Sequence, residues 1–199
     1  MDRKDFKIIS NWIKKDSTVL DLGCGDSTLL DFLTSTKNIT GYGFEKDLEK
    51  VKESIKKNIS VIQSDFYTGL GEYFESSFFD YAVMTHALQE NKNPDKILKE
   101  MLRVANEGIV TFPNMGFWKN RVELGFLGRM PISKSLPNKW FDTPNIHLCT
   151  FKDFEDLCKD LKIKILEKKV LDNSYSSNFL CKLSPNFFGE IALYRFKKD

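Results

Sequence analysis

Val19-Leu20-Asp21-Leu22-Gly23-Cys24-Gly25-Asp26 is an apolar strand pattern that runs into a glycine-containing turn near the start of the chain. A helical pattern at residues 27–36 follows the turn directly. Glycine allows the backbone to turn sharply, and because it has no side chain it lets a ligand approach closely. This strand, turn and helix therefore predict an α/β fold with a nucleoside site at the turn.

The rest of the chain continues the same alternation of strands and helices. Short apolar runs rich in β-branched and aromatic residues alternate with helical patterns, which is typical of βαβ units around a mainly parallel sheet. We predict strands near residues 18–22, 39–44, 59–63, 79–84, 107–112, 162–170 and 190–196. We predict helices near residues 5–14, 27–36, 47–57, 94–104 and 151–160.

One segment, residues 113–149, breaks this alternation. It contains four prolines together with Trp118 and Trp140, and it is too long for a simple connection. Long connections in compact domains are often lids or binding loops, and the aromatic content favours an ordered segment here. We predict a single domain over residues 1–199 with a lid insertion at about 113–149.

Composition and charge narrow the class of protein. A chain of 199 residues fits one domain, and 30 basic against 28 acidic residues give a net charge of +2, so we expect no nucleic-acid partner. No run approaches the ~20 apolar residues of a membrane span, so we expect no membrane partner and a cytoplasmic protein. The cysteines lack metal-ligand spacing, and we expect reduced thiols and no metal at Cys24, Cys149, Cys158 and Cys181.

Two acidic residues follow the next two predicted strands. Glu45 lies about 20 residues beyond the glycine turn, where such folds bind ribose hydroxyls, and a carboxylate accepts from both vicinal hydroxyls. Asp65 follows the third strand, where it can accept from the exocyclic amine of adenine, and Phe66 offers an apolar wall. The alternative is a strand, turn and helix that bind no ligand.

Three strings around these residues carry a family resemblance. VLDLGCGDSTLL at 19–30, GYGFEKD at 41–47 and VIQSDF at 61–66 resemble motifs of class I methyltransferases that depend on S-adenosylmethionine (SAM). No third glycine follows Gly25 to hold a pyrophosphate, which favours SAM over NAD. The resemblance implies a Rossmann-like class I methyltransferase fold: a mainly parallel seven-stranded sheet with an antiparallel last strand and helices on both faces.

The same resemblance implies a set of cofactor-binding residues. Asp21, Gly23, Gly25 and Asp26 are expected at the methionine end of SAM, and Thr85 with His86 near the sulfonium. The full set is Asp21, Gly23, Cys24, Gly25, Asp26, Glu45, Lys46, Ser64, Asp65, Phe66, Thr85 and His86. Two alternatives stay open: Cys24 is a reactive thiol or a small packing residue, and His86 is a base or shapes the cofactor pocket.

A narrower resemblance covers nearly the whole chain. The segments at 87–118 (ALQENKNPDKILKEMLRVANEGIVTFPNMGFW), 129–158 (RMPISKSLPNKWFDTPNIHLCTFKDFEDLC) and 189–196 (GEIALYRF) resemble the methionine biosynthesis protein MetW family. This resemblance implies a role in methionine biosynthesis, with homoserine O-acyltransferase as partner. The pair Thr85-His86 departs from the family, in which Ser-Gln is commoner, and this departure weakens a catalytic assignment for His86.

The acceptor side of the site is less defined by the sequence. Substrate-binding candidates are Gln89, Asn114, Trp118 and Trp140, and the catalytic candidates are His86, His147 and Asp142. Each has an alternative: Gln89 caps the turn before Pro94, the tryptophans fill core under the loop, and His147 makes a structural hydrogen bond rather than an acid–base pair with Asp142.

Two functions therefore stay open. The first is a SAM-dependent methyltransferase that acts on a small molecule. The second is a SAM-binding subunit that modulates homoserine acylation without chemistry of its own, and the absence of a convincing acid–base or nucleophile constellation in the sequence favours it.

Overall fold

We describe the protein from a computed structural model that covers residues 4–64, 70–172, 175–176 and 179–199. Its strands are β1 Thr18–Leu22, β2 Thr40–Glu45, β3 Ser60–Gln63, β4 Phe79–Thr85, β5 Ala105–Pro113, β6 Ile163–Leu171 and β7 Ile191–Lys198. Its helices are α1 Lys4–Trp12, α2 Thr28–Lys37, α3 Leu48–Lys56, α4 Pro94–Val104, α5 Trp118–Gly125, α6 Phe151–Asp160, α7 Phe179–Leu183 and α8 Pro185–Phe188.

The strands form one seven-stranded sheet in the order β3-β2-β1-β4-β5-β7-β6. The pairs of β1 with β2 and β4, of β2 with β3 and of β4 with β5 are parallel. β7 runs antiparallel to both of its neighbours, β5 and β6. The predicted mainly parallel sheet with an antiparallel last strand is confirmed.

Residues along each strand alternate between two apolar clusters, one on each face of the sheet. In β1, Leu20 and Leu22 belong to the cluster that α4 and α6 cover, whereas Val19 belongs to the cluster that α1 and α2 cover. Parallel strands buried on both faces need helices on both faces, because neither face can be left in water. The predicted arrangement of helices is confirmed.

The predicted strands and helices are all present, with ends that differ from the prediction by at most two residues. Three short helices, α5, α7 and α8, were not predicted. The sequence of α5, WKNRVELG, buries a single residue, Asn120, and so carries no apolar stripe from which a helix is recognised. No helix in the described ranges is long and apolar enough to cross a membrane.

A close contact behind the glycine turn joins β1 to β2. The side chain of Cys24 is buried beneath Gly43, and a Cβ atom added to Gly43 would lie 2.5 Å from the Cys24 sulfur. Gly43 is therefore required at this position because Cys24 occupies the space that its side chain would need.

We predict that Gly43→Ala destabilises the protein by about 1–3 kcal/mol, because the added methyl group overpacks the contact with Cys24. Urea unfolding measures the change in unfolding free energy. In the double variant, Cys24→Ala is expected to recover part of the loss, so that the effects of the two substitutions are not additive. Gly41→Ala on the same strand is the matched control: its nearest neighbour is the flexible end of Leu30, at 3.2 Å. If the changes in unfolding free energy for Cys24→Ala and Gly43→Ala simply added in the double variant, the two residues would not be in close contact.

Candidate functional site

The sheet brings most of the predicted cofactor residues to its carboxyl-terminal edge. Asp21 pairs with Gly43 on one side and with Val83 on the other, and Glu45 pairs with Gln63, so the turns that follow β1 to β4 lie side by side. The strand order reverses between β1 and β4, which is where open α/β sheets bind ligands. The predicted adenine residues, Asp65 and Phe66, lie outside the described residues.

The glycine turn has the backbone conformation that requires glycine. Gly23 has φ 74° and Gly25 has φ 58°, both in the left-handed region. The amides of Gly23 and Cys24 donate to the Phe44 carbonyl oxygen at 2.8 and 3.0 Å. A Cβ atom added to Gly25 would have no heavy atom within 4 Å, so the space in front of this glycine is open.

Glu45 is held in a fixed orientation at the end of β2. Only 6% of its surface is exposed, and its two carboxylate oxygens accept separately from the amides of Gly25 and Asp47, each at 2.9 Å. An ionised carboxylate has about four acceptor positions. Glu45 can therefore hold the turn and still accept hydrogen bonds from two hydroxyl groups.

Asp26 bridges the start of α2 and the end of α3. Its carboxylate accepts from the Thr28 hydroxyl at 2.6 Å and from the Lys57 ammonium at 2.9 Å. Partial burial favours the neutral acid, but the hydrogen bonds from Thr28 and Lys57 outweigh it and lower the pKa of Asp26. Sequence reasoning missed Lys57, because only the fold brings the end of α3 to this turn.

Two buried serines support the turn from behind. The Ser27 hydroxyl donates to the Ser54 hydroxyl at 2.8 Å, and Ser54 lies 3.2 Å from the Gly25 carbonyl oxygen. Both side chains are fully buried, and Ser27 adopts φ 57°, which is unusual for a residue other than glycine. The sequence gives no signal for this pair, since the two serines are separated by most of a βαβ unit.

Cys24 is a packing residue. Burial, and then the negative charge of Asp21, raise the pKa of its thiol to about 12. The protonated thiol is a poor nucleophile. Of the two alternatives for Cys24, the structure supports packing and not reactivity. Lys46 is exposed beside Glu45, and the Ser64 amide donates to the Glu45 carbonyl oxygen at 3.2 Å.

His86 borders a cleft beyond β4 and β5, here called the β4–β5 cleft. The cleft has a volume of about 350 Å³. His86 adopts φ 61°, and its amide donates to the Thr111 carbonyl oxygen at 3.0 Å. His86 is one of the two residues predicted near the sulfonium, so the cleft adjoins the predicted sulfonium end of the cofactor site.

Gln89 and Asn114, two substrate-binding candidates, fasten the long loop. The Gln89 amide donates to the Pro113 carbonyl oxygen at 3.0 Å, so the alternative that it caps the turn before Pro94 is wrong. The Asn114 amide donates to the Gly189 carbonyl oxygen at 2.7 Å and accepts from the Gly116 amide at 2.9 Å. Both side chains are buried, and a substrate contact for either stays a prediction.

The two tryptophans are not core residues. Trp118 is 37% exposed and Trp140 is 73% exposed, so the alternative that they fill core under the loop is wrong. Trp140 packs edge-on against Phe141 with ring centroids 5.7 Å apart. It belongs to a group of exposed apolar side chains that we call the 126–141 patch: Phe126, Leu127, Met130, Ile132, Trp140 and Phe141.

His147 and Asp142 do not form the acid–base pair that their spacing allowed. His147 Nε2 lies 3.2 Å from the Lys92 carbonyl oxygen, and no ion pair in the described part of the chain joins it to Asp142. The structural hydrogen bond is the alternative that the structure supports. Within the described ranges, no group of three or more His, Cys, Asp or Glu side chains is placed to hold a metal ion.

Comparison of the sequence with known proteins matches nearly the whole chain to one family. A family model described as methionine biosynthesis protein MetW matches residues 3–196. The bifunctional methionine biosynthesis protein MetXA/MetW of Rhodopirellula baltica is 29% identical over 204 residues, which cover 98% of this chain and 33% of that protein. The chain thus spans about a third of the length of this relative.

Solved structures share the fold at low sequence identity. The [4+2]-cyclase SpnF matches with a TM-score of 0.69 at 14% identity, over 98% of this chain and 80% of that one. The plantazolicin methyltransferase BpumL, solved in complex with SAH, matches with a TM-score of 0.65 at 17% identity, over 98% and 82% of the two chains. These likenesses confirm the Rossmann-like class I methyltransferase fold.

We predict effects on stability of very different size for two of the substrate-binding candidates. Asn114→Ala removes the partners of buried backbone groups and is expected to cost about 2–4 kcal/mol of unfolding free energy. Trp140→Ala, at an exposed position, is expected to change it by no more than about 0.5 kcal/mol. Urea unfolding measures both, and a loss for Trp140→Ala as large as that for Asn114→Ala would show that Trp140 supports the core.

Proposed function

This chain belongs to the methionine biosynthesis protein MetW family, and we propose that it binds SAM at the carboxyl-terminal edge of the sheet and acts with a homoserine O-acyltransferase. It is a methyltransferase-like protein of methionine biosynthesis. The observation that carries the cofactor proposal is the hydrogen bond from the Gly25 amide to Glu45 at 2.9 Å, beside open space.

The residues at this edge fit a nucleoside cofactor without phosphates. Glu45 keeps acceptor positions for two ribose hydroxyls, and Gly25 leaves room for a ligand to lie against the backbone. We assign the methionine half to Asp21, Gly23, Cys24, Gly25 and Asp26, the region around the ribose to Glu45, Lys46 and Ser64, and the sulfonium side to Thr85 and His86. The adenine is assigned to Asp65 and Phe66 on the family resemblance. When bound, SAM would supply an electrophilic methyl group.

The proposal of a partner rests on the bifunctional relative. That protein is named for MetXA and MetW together, and this chain corresponds to about a third of it. The family resemblance implies a homoserine O-acyltransferase as the partner. Fusion holds two modules at high effective concentration, which is useful when they act together. We therefore propose that the separate chain described here binds a separate homoserine O-acyltransferase.

The 126–141 patch has the composition of a protein-binding surface. Phe126 is 86% exposed, and the patch includes a hollow of about 490 Å³ lined by Gly128, Arg129, Met130, Ile132, Lys139, Trp140 and Phe141. Aromatic, Met and Arg side chains are enriched at interfaces, and contiguous exposed apolar groups mark interaction sites. The cations Arg129 and Lys139 at its rim favour an acyltransferase surface that is apolar at the centre and acidic around it.

Binding without chemistry is the leading form of this proposal. Cys24 is a protonated packing residue and His147 is not paired with Asp142, so neither supplies a nucleophile or an acid–base pair. The second candidate is an active SAM-dependent methyltransferase with a small acceptor, and the β4–β5 cleft favours it. Methyl transfer is an in-line displacement, so positioning of an acceptor in the cleft could supply much of the catalysis.

We predict that SAM binds the purified protein in calorimetry and that Gly25→Ala weakens binding by about tenfold or more, since the new methyl group occupies the ligand's space. Gly128→Ala is the matched control. Gly128 has φ 61° and open space around its Cα, so both substitutions impose the same backbone strain of about 1–2 kcal/mol. Equal SAM affinity in the wild type and Gly25→Ala would place the ligand elsewhere.

We predict that the chain co-elutes with its cognate homoserine O-acyltransferase at micromolar concentration and that Trp140→Ala abolishes this while SAM binding survives. Loss of a central aromatic anchor typically costs about 2 kcal/mol or more of binding free energy. Phe179→Ala is the control, because Phe179 is 75% exposed but lies on α7 and does not line the hollow of the patch.

The same experiment separates the two candidate functions. Mixing is expected to change the acyltransferase rate, and SAM is expected to alter association. A second assay incubates the protein with labelled SAM and cell extract. If the two proteins do not associate with or without SAM, and label moves from SAM to a small molecule, the partner proposal is excluded and the methyltransferase remains.

A further inference from the structure

A further hollow lies at the edge of the sheet opposite the candidate cofactor site, and we call it the α4–α6 cleft. Because β7 runs antiparallel to β5, the end of β7 lies at the edge where the parallel strands begin. The cleft has a volume of about 210 Å³ and is lined by Lys99, Leu102, Arg103, Leu161, Lys162, Ile163 and Lys198. It shares no lining residue with the β4–β5 cleft or with the hollow of the 126–141 patch.

The floor of the α4–α6 cleft is apolar and continuous with the core. Leu102 and Leu161 are half-buried and pack against the same core cluster as Ile163, which is 8% exposed. Leu102 lies on α4, Leu161 follows α6 directly, and Ile163 opens β6, so tertiary contacts fix the floor before anything binds. A concave apolar floor of this kind favours burial of an apolar group from a ligand.

The rim of the cleft is basic. Lys99, Lys162 and Lys198 are exposed, and none of them makes an ion pair within the residues that the structure describes. Arg103 differs from them, since its guanidinium is paired with Glu100 at 3.0 Å. Three lysine side chains are therefore left to attract an anionic group.

Lysines at this corner of the sheet occupy positions that are unfavourable for the fold. Lys162 adopts φ 54° directly after Leu161, the C-cap of α6, where glycine or asparagine is favoured. Lys164 and Lys197, beside the cleft, lie directly opposite each other on β6 and β7, and like charges in such a pair repel. Backbone strain is found most often where it serves a function, so Lys162 supports a binding role for this corner.

The surplus of positive charge is local. The chain as a whole carries a net charge of only +2, but five exposed lysines gather at this corner: Lys99, Lys162, Lys164, Lys197 and Lys198. Two exposed acidic side chains, Asp160 and Asp199, flank them in sequence, and no ion pair of the described residues joins either to a lysine of the cleft. The field at this corner therefore favours an anionic ligand.

The size and lining of the cleft select among anionic ligands. About 210 Å³ is below the range of about 300–1,000 Å³ that is usual for small-molecule sites, but it accommodates one large apolar side chain. A free phosphate would leave the apolar floor uncovered. Single-stranded nucleic acid is held by stacking on aromatic side chains, whereas the apolar residues of this lining are aliphatic. An acidic peptide with one apolar side chain matches both floor and rim.

We propose that the α4–α6 cleft binds an acidic segment of a partner protein, with one side chain of about the size of leucine on the floor and carboxylates on either side facing the lysines. Charge complementarity of this kind guides association and fixes the orientation of a partner. The proposal goes beyond the proposed function and does not depend on SAM or on the acyltransferase. Because the cleft shares no residue with the 126–141 patch, occupation of one surface leaves the residues of the other free.

Chemical-shift mapping by NMR on the isotope-labelled full chain tests the proposal. The probe is a synthetic peptide with one leucine between two pairs of glutamates, and it is expected to shift the amides of Leu161, Lys162 and Lys198. Replacement of the glutamates by glutamines, or of the leucine by serine, is expected to weaken binding by about tenfold or more. The first change removes the opposite charges, and the second removes the buried side chain.

The matched variants remove the same charge inside and outside the cleft. Lys162→Gln combined with Lys198→Gln is expected to weaken binding of the peptide by about tenfold, and both positions are exposed, so the fold is retained. Lys50→Gln combined with Lys152→Gln, at exposed positions on α3 and α6 outside the lining, is the control and is expected to bind as the wild type does.

Several results would overturn the proposal: no shift at the amides of the cleft, equal binding of the glutamine peptide or the serine peptide, or equal binding to the wild type and the Lys162→Gln, Lys198→Gln variant. A thymidine oligonucleotide that shifts the same amides as strongly as the peptide would assign the cleft to nucleic acid instead. SAM binding and association with the acyltransferase are measured on the same variants and are expected to be unchanged, so failure of the proposed function is a separate result.

Discussion

The hydrogen bond between the Gly25 amide and the Glu45 carboxylate is the contact on which the arrangement of the candidate site depends. It joins the turn after β1 to the end of β2 at 2.9 Å and fixes a nearly buried carboxylate beside open space. A buried carboxylate is stable only when it is well hydrogen-bonded, and here backbone amides provide those bonds. The left-handed conformations of Gly23 and Gly25 are what aim the amide at the carboxylate.

The packing behind the turn keeps this geometry. Cys24 fills the space that a side chain at Gly43 would need, and the hydroxyls of Ser27 and Ser54 pair in the interior. Lys57 ties Asp26 to the end of α3 from the solvent side. The turn is thus fixed by an apolar contact, a buried polar pair and a surface ion pair, of which the ion pair contributes least to stability because water screens it.

The long loop divides its side chains between two tasks. The buried side chain of Asn114 donates to the Gly189 carbonyl oxygen, next to β7, and the Gln89 side chain donates to the Pro113 carbonyl oxygen, at the end of β5. These two hydrogen bonds fasten the loop to the sheet. Three of the loop's aromatic side chains, those of Phe126, Trp140 and Phe141, are left in solvent. Fastening of the backbone explains how a segment can be ordered and still expose an apolar patch.

The sequence by itself determined the order of the strands and of the five predicted helices, the fold class and the placing of Gly25 and Glu45 at one edge. Periodicity and motif spacing are local properties that the βαβ rules convert into topology. It did not determine which loop residues are buried. Asn114 and Trp140 were both substrate-binding candidates from the sequence, and only the tertiary structure shows that the first is buried and the second exposed. The fold alone also decides which residues hydrogen-bond across the chain: Lys57 with Asp26, Ser135 with Glu190, and His147 with the backbone of Lys92. The partners are remote in sequence, and a hydrogen bond depends on distance in space and not on spacing in sequence.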